Sequence, residues 1–180
     1  MNALKMVALG LGGIGVVGGA WALRFPKEAQ DFLRKLPRNE MVGRVLMLVD
    51  VAWSIWLFNK MDLGGWNWAK QPVTVLSPFI YLYIIFLVNN YLGARSLALF
   101  MILLAKPVVN ICFLRDEPSR LVITTLAYVW VVAGICIFSV PHWLRDWIGY
   151  WEASATRWAW GCRAKVAFGC LLIALGIFAY

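Results

Sequence analysis

Six apolar runs divide the chain, at about Met6–Leu23, Met41–Phe58, Val73–Leu92, Ser96–Leu114, Leu121–Val140 and Ala164–Tyr180, with short polar stretches between them. Each approaches the roughly 17–25 residues a helix needs to cross the bilayer's hydrocarbon core. None alternates apolar and polar positions as a membrane strand would. The pattern predicts an all-α polytopic membrane helix bundle of about six transmembrane helices, forming one transmembrane domain over residues 1–180.

Two of the polar stretches have a helical period of their own. After Phe25-Pro26, the residues Ala29, Phe32, Leu33 and Leu36 fall at i, i+3, i+4 and i+7, with charged residues between them. Pro26 suits a first helical turn and Pro37 stops the helix. After Val140-Pro141, Leu144, Trp147, Ile148, Trp151, Ala155 and Trp158 recur at helical spacing. Both stretches are expected to be amphipathic helices lying in the membrane interface; loops packed on the bundle are the competing reading. Trp143, Trp147, Trp151 and Trp158 are then expected at the interface, where an indole ring is half buried and its N–H solvated. Trp66 and Trp68, beside Gly64-Gly65, suit the interface at another loop.

The two regions echo each other. Each has a span, a Pro, an Asp five residues later (Asp31 and Asp146), the amphipathic stretch, and a basic entry into the next span. Helix pairs over about 6–58 and 121–180 would form a parallel repeat flanking a central hairpin over 73–114, unlike the inverted repeats of many transporters. The first run also has signal-peptide features, with Lys5 ahead of it and Ala20-Trp21-Ala22 behind it. The repeat requires that run as a helix.

Phe25-Pro26-Lys27, Leu36-Pro37-Arg38-Asn39 and Gly43-Arg44 together resemble a small family of two-helix bacterial inner-membrane proteins of the YjeT type. Pro141 through Tyr180 resembles the same pattern more weakly and lacks the Leu-Pro-x-Asn element. The resemblance implies a bacterial inner membrane and brings no activity with it.

Composition agrees with a lipid solvent. The 180 residues are 62% hydrophobic and 14% charged, with mean hydropathy +0.73. A soluble domain runs nearer half apolar and a quarter charged. The net charge of +8 has a topological reading: the loops after the first, third and fifth runs hold 11 Lys and Arg, and the opposite side holds 5. The richer side is expected to be cytoplasmic, which puts both termini outside. Nucleic acid is not an expected partner; the bilayer is, along with other membrane proteins or a second copy of the chain.

Little in the sequence suits catalysis. His142 is the only histidine, so a bis-histidine haem is excluded. Cys112, Cys136, Cys162 and Cys170 show no paired metal spacing. No nucleophile elbow, zinc-protease motif, P-loop or dinucleotide fingerprint occurs. No catalytic residue, metal or cofactor is expected.

The sharpest anomalies are Asp50, in the middle of the second run, and Lys106, in the middle of the fourth. An ionised group at bilayer centre costs about 2.5–3.5 kcal/mol on insertion scales. Pairing across helices would offset that cost. Asn110, four residues on, shares the face of Lys106. Asp50, Lys106 and Asn110 are therefore an expected intramembrane polar site, serving either helix packing or transport. Ala8, Gly12, Gly15 and Gly19 form a small-residue packing seam on the first run, open to a helix of this chain or of a partner. Asn89 and Asn90 mark the end of the third run, and Arg115–Arg120 a solvated turn.

Three functions follow from these features. The first is a non-enzymatic scaffold, accessory or assembly subunit of the inner membrane. The second is a small transporter or channel using Asp50 and Lys106. The third, weaker, is a lipid-handling membrane enzyme using the Trp-bearing helix after Pro141.

Overall fold

The structure, a computed structural model, describes residues 3–87, 91–113 and 119–179. These residues form eight α-helices and no strand. Six are long: α1 (Ala3–Arg24), α3 (Glu40–Lys60), α4 (Lys70–Leu87), α5 (Leu92–Cys112), α6 (Arg120–Ser139) and α8 (Ala155–Phe178). Each is long and apolar enough to cross a membrane. Two are short: α2 (Pro26–Lys35) links α1 to α3, and α7 (His142–Glu152) links α6 to α8. The order long, short, long thus occurs twice. Asn89, Asn90 and most of the Arg115–Arg120 turn lie outside the described residues.

Small residues decide which spans approach closely. Along α1, Gly12, Gly15 and Gly19 face α8, and each leaves room for α8 backbone or side chain. A Cβ on Gly12 would lie 2.8 Å from the Gly169 carbonyl oxygen, and one on Gly19 would lie 2.6 Å from Val166 Cγ2. Higher residues of α1 meet lower residues of α8, so the pair is antiparallel, as a first and sixth span must be. In lipid, helix association gains from close van der Waals contact rather than from expelling water. The first run, despite its signal-like features, is built into the bundle along its length.

A second close approach joins the start of α3 to the start of α5. A Cβ on Gly43 would lie 2.8 Å from the Gly93 nitrogen, and one on Gly93 would lie 2.8 Å from the Leu36 carbonyl oxygen. Asn39 caps α3, its Oδ1 accepting from the Met41 and Val42 amides. Leu36-Pro37-Arg38-Asn39 and Gly43 therefore have a structural task here: a single 3-10 turn (Leu36–Arg38), a cap, and a glycine contact that sets α3 beside α5.

α5 packs chiefly on α6 and α3, while α4 packs on α3. The expected central hairpin is accordingly opened out, with α3 lying between α4 and α5. The main core gathers α1 (Leu4, Ala8), α5 (Ala105, Val108, Cys112), α6 (Ile123, Ala127) and α8 (Leu172).

One expected helix is divided. The periodicity from Leu144 to Trp158 reads as a single helix, but the chain turns at Ser154, whose backbone is extended (φ −145°, ψ 130°). Ala155 and Trp158 belong to α8, which begins nine residues before the apolar run at Ala164.

Candidate functional site

Asp50 is fully buried, and neither carboxylate oxygen has a hydrogen-bond partner. It lies on the α3 stripe that faces α5, seven residues beyond Gly43 and three before Trp53. Trp53 meets Phe100 edge-on, with ring centroids 6.0 Å apart. With Gly43 against Gly93 and Trp53 against Phe100, α3 and α5 run parallel, and Asp50 lies level with the stretch Leu97–Phe100.

That register corrects the expected polar site. Lys106 is about 9–14 Å further along α5, at 1.5 Å rise per residue, and is exposed on the surface of the bundle. Asn110 is exposed as well. Neither reaches Asp50, and no ion pair joins Asp50 to a cation among the described residues. Equal position within two apolar runs did not mean equal depth, because α5 begins at Leu92, four residues before the run at Ser96, and meets α3 at Gly93, near its own start.

Two other buried polar side chains are Ser77 on α4 and Ser96 on α5. Sequence reasoning missed both, since a lone serine in an apolar run carries no signal of burial. Ser96 lies on the Gly93–Phe100 stripe that faces α3. Tyr81 Oη donates to the Arg44 carbonyl oxygen and Asn59 Nδ2 donates to Thr74 Oγ1, which sets Ser77 near the level of Asp50. Each serine hydroxyl donates instead within its own helix, Ser77 to the Thr74 carbonyl at 2.7 Å and Ser96 to the Gly93 carbonyl at 3.1 Å. Among the described residues Asp50 is thus a buried carboxyl on the face of α3 toward α5, with two serine hydroxyls near its depth and no cation paired with it, the setting of a proton- or cation-handling group or of a costly packing residue.

A second polar constellation lies where α2 and α7 meet. Arg34 Nε donates to Glu152 Oε2 in a salt bridge, and the Glu152 side chain is only 5% exposed. The hydrogen bond to Glu152, and then the charge of that carboxylate, hold the Arg34 guanidinium above its ordinary pKa. Glu152 Oε1 and Arg95 Nε are buried without partners. Arg34, Pro37, Tyr91, Arg145, Gly149 and Glu152 line a cleft of about 310 Å³.

The tryptophans divide. Trp143 and Trp147 are exposed on α7. Trp151 is half-buried, with an unpartnered Nε1. Trp158, expected at the interface, is buried in a small cluster with Ala29 and Cys162, and its Nε1 donates to the Ala22 carbonyl at 3.1 Å. It links α8 to α1 rather than to headgroups. The seam Ala8, Gly12, Gly15 and Gly19 is occupied by α8 of the same chain, with Ala8 and Leu9 against Gly176.

Among the described residues no three His, Cys, Asp or Glu side chains gather to hold a metal ion. No family model, characterised protein or solved structure matches the chain. The class that fold and composition define is a multi-pass helical membrane protein.

Proposed function

We propose that this protein is a non-enzymatic accessory or assembly subunit of the bacterial inner membrane, with both termini on the non-cytoplasmic side. The location rests on the YjeT-type resemblance, and the orientation on the unequal distribution of Lys and Arg. In this reading α2 and α7 are amphipathic helices that lie in the cytoplasmic interface.

The observation that carries the accessory role is α4. Its main neighbour is α3, and Val75, Phe79, Tyr83 and Phe86 are each more than 60% exposed along it. A span gains stability in lipid from packing against other helices. One that packs chiefly on a single span of its own chain has a face free for a spanning helix of another membrane protein. Purification of the full chain in mild detergent tests this. A stoichiometric membrane partner that is lost when Phe79 and Tyr83 are changed to Ala supports it. An unaccompanied monomer in every mild detergent overturns it.

A second reading, a small transporter or channel, is favoured by one observation, the buried unpartnered carboxyl of Asp50. It now rests on Asp50 without Lys106 or Asn110. Substrate or proton flux in reconstituted vesicles that Asp50→Asn abolishes would favour it over the accessory role.

A further inference from the structure

α5 carries two seams with different surroundings. On one, Ala98, Ala105, Val108 and Cys112 are buried, the last three in the main core shared with α1, α6 and α8. On the other, Leu99, Leu103, Lys106, Asn110 and Phe113 follow one another at spacings of four, three, four and three residues. That alternation is how one helix presents a continuous line of side chains to another. None of these five residues is buried, and Lys106, Asn110 and Phe113 are exposed. No ion pair among the described residues includes Lys106.

The depth of Lys106 makes its exposure expensive in lipid. It lies about 9 Å from the Cys112 end of α5 and about 21 Å from the Leu92 end, at 1.5 Å per residue. A lysine near a helix end can carry its ammonium out to the headgroups. Side chains on a helix leave it tilted toward the N-terminus, however, so the Lys106 stem starts away from the nearer end. Pro107 has no N–H to give the Leu103 carbonyl. The Asn110 amide adds two donors and an acceptor on the same face. A cation, a backbone acceptor without its usual donor and a side-chain amide therefore share one uncovered face of a span. Ionisable groups at such depth face other protein and pair there.

We infer that the Leu99–Phe113 seam receives a spanning helix of a different membrane protein, and that this helix carries an Asp or Glu at the level of Lys106. Charge decides the occupant. A lipid tail offers an ammonium no counter-charge. A second copy of this chain offers none either: of its nine Asp and Glu, only Asp50 lies within an apolar run, and Asp50 is fully buried. Asn110, one turn on, gives the incoming helix a hydrogen-bonding group as well. This partner chemistry deepens the accessory role and rests on it, but α5 rather than α4 presents the seam, so the two can fail separately.

The test is photo-crosslinking of the full chain in native membranes, from a photoreactive residue at Phe113 and, in parallel, at Phe79 on α4. Mass spectrometry identifies the crosslinked peptide. Position 113 is expected to give one protein adduct, on a spanning segment that contains Asp or Glu. Lys106→Met should reduce that adduct at least about tenfold, because the partner's carboxylate is then left in the membrane without its cation. Lys106→Arg should keep it. Lys106→Met removes an exposed charge, so the unfolding temperature of the isolated chain in detergent should not fall. If Lys106→Met does not fold, Lys106→Gln takes its place in the same comparison. Lipid adducts alone, an adduct with a second copy of this chain, a spanning segment without Asp or Glu, or an adduct that survives loss of the charge would each overturn the inference. A protein adduct from Phe79 in any of those cases leaves the accessory role standing, and lipid adducts alone from both positions remove both.

Discussion

Gly12 and Gly169 stand so close across the antiparallel α1–α8 contact that a Cβ on either would come within 2.8 Å of the other's carbonyl oxygen. Backbone lies against backbone there, so neither helix can make room without separating. Gly12→Leu is expected to destabilise the protein by about 1–3 kcal/mol, the usual cost of overpacking a filled core. Gly13, whose Cβ would meet nothing within 4 Å, supplies the control. Gly13→Ala should leave thermal unfolding in detergent unchanged or slightly raised. Equal loss from both variants would mean that α1 and α8 do not meet through this seam.

Asp50 and Lys106 should behave as strangers. Asp50→Asn, Lys106→Met and the double variant are expected to give additive stability changes, with a coupling below about 0.5 kcal/mol. Asp50→Leu should be neutral or stabilising, since the buried carboxylate has no partner to lose. Unfolding free energies measured in one detergent check both statements. A coupling of several kcal/mol would restore the ion pair that the register excludes.

The contrast between these two cases shows what sequence could carry. Span number, and the up-down order it forces, is legible because the apolar runs are long and the breaks between them contain Pro, Gly or charge. The small face of α1 is also legible. Its counterpart on α8 was present as Cys162, Gly169 and Gly176 at seven-residue spacing, all buried, yet a seven-residue recurrence inside an apolar run is easily passed over. Which helix lies beside which is set by contacts between distant residues, as at Gly43 and Gly93, and no local period encodes it. The level of Asp50 relative to Lys106 failed for that reason. Trp158 failed because an indole N–H can be satisfied by a buried carbonyl as well as by headgroups.

The Arg34–Glu152 salt bridge predicts an asymmetric pair of effects. Arg34→Gln leaves a carboxylate that is 5% exposed without its cation, and should lower the unfolding temperature. Adding Glu152→Gln to that variant should restore much of the loss, because no unpaired charge stays buried. A double variant as unstable as Arg34→Gln alone would show that the charge is not the cause.

Asp62 sets a pH dependence in the loop before α4. Its Oδ1 accepts from Asn67 Nδ2 and from the Gly64 amide, both at 3.0 Å, and these bonds hold the carboxyl below the ordinary carboxylate pKa. A lowered folded-state pKa makes a contribution that is present above the ordinary value of about 3.9 and is lost as pH falls through the lowered one. Acidification below about pH 4 should therefore loosen this turn, where Trp66 and Trp68 stack with ring centroids 5.9 Å apart. The fluorescence difference between the protein and its Trp66→Phe variant should change over that range, and Asp62→Asn should remove the change.

The accessory role is tested most directly by photo-crosslinking from α4 in native membranes. A photoreactive residue at Phe79 or Tyr83 should give one discrete adduct with another membrane protein. The same residue at Val132 or Ile135, exposed on α6, should give lipid adducts only. Lipid adducts alone from every position, α4 included, would contradict the proposal that α4 receives a partner helix.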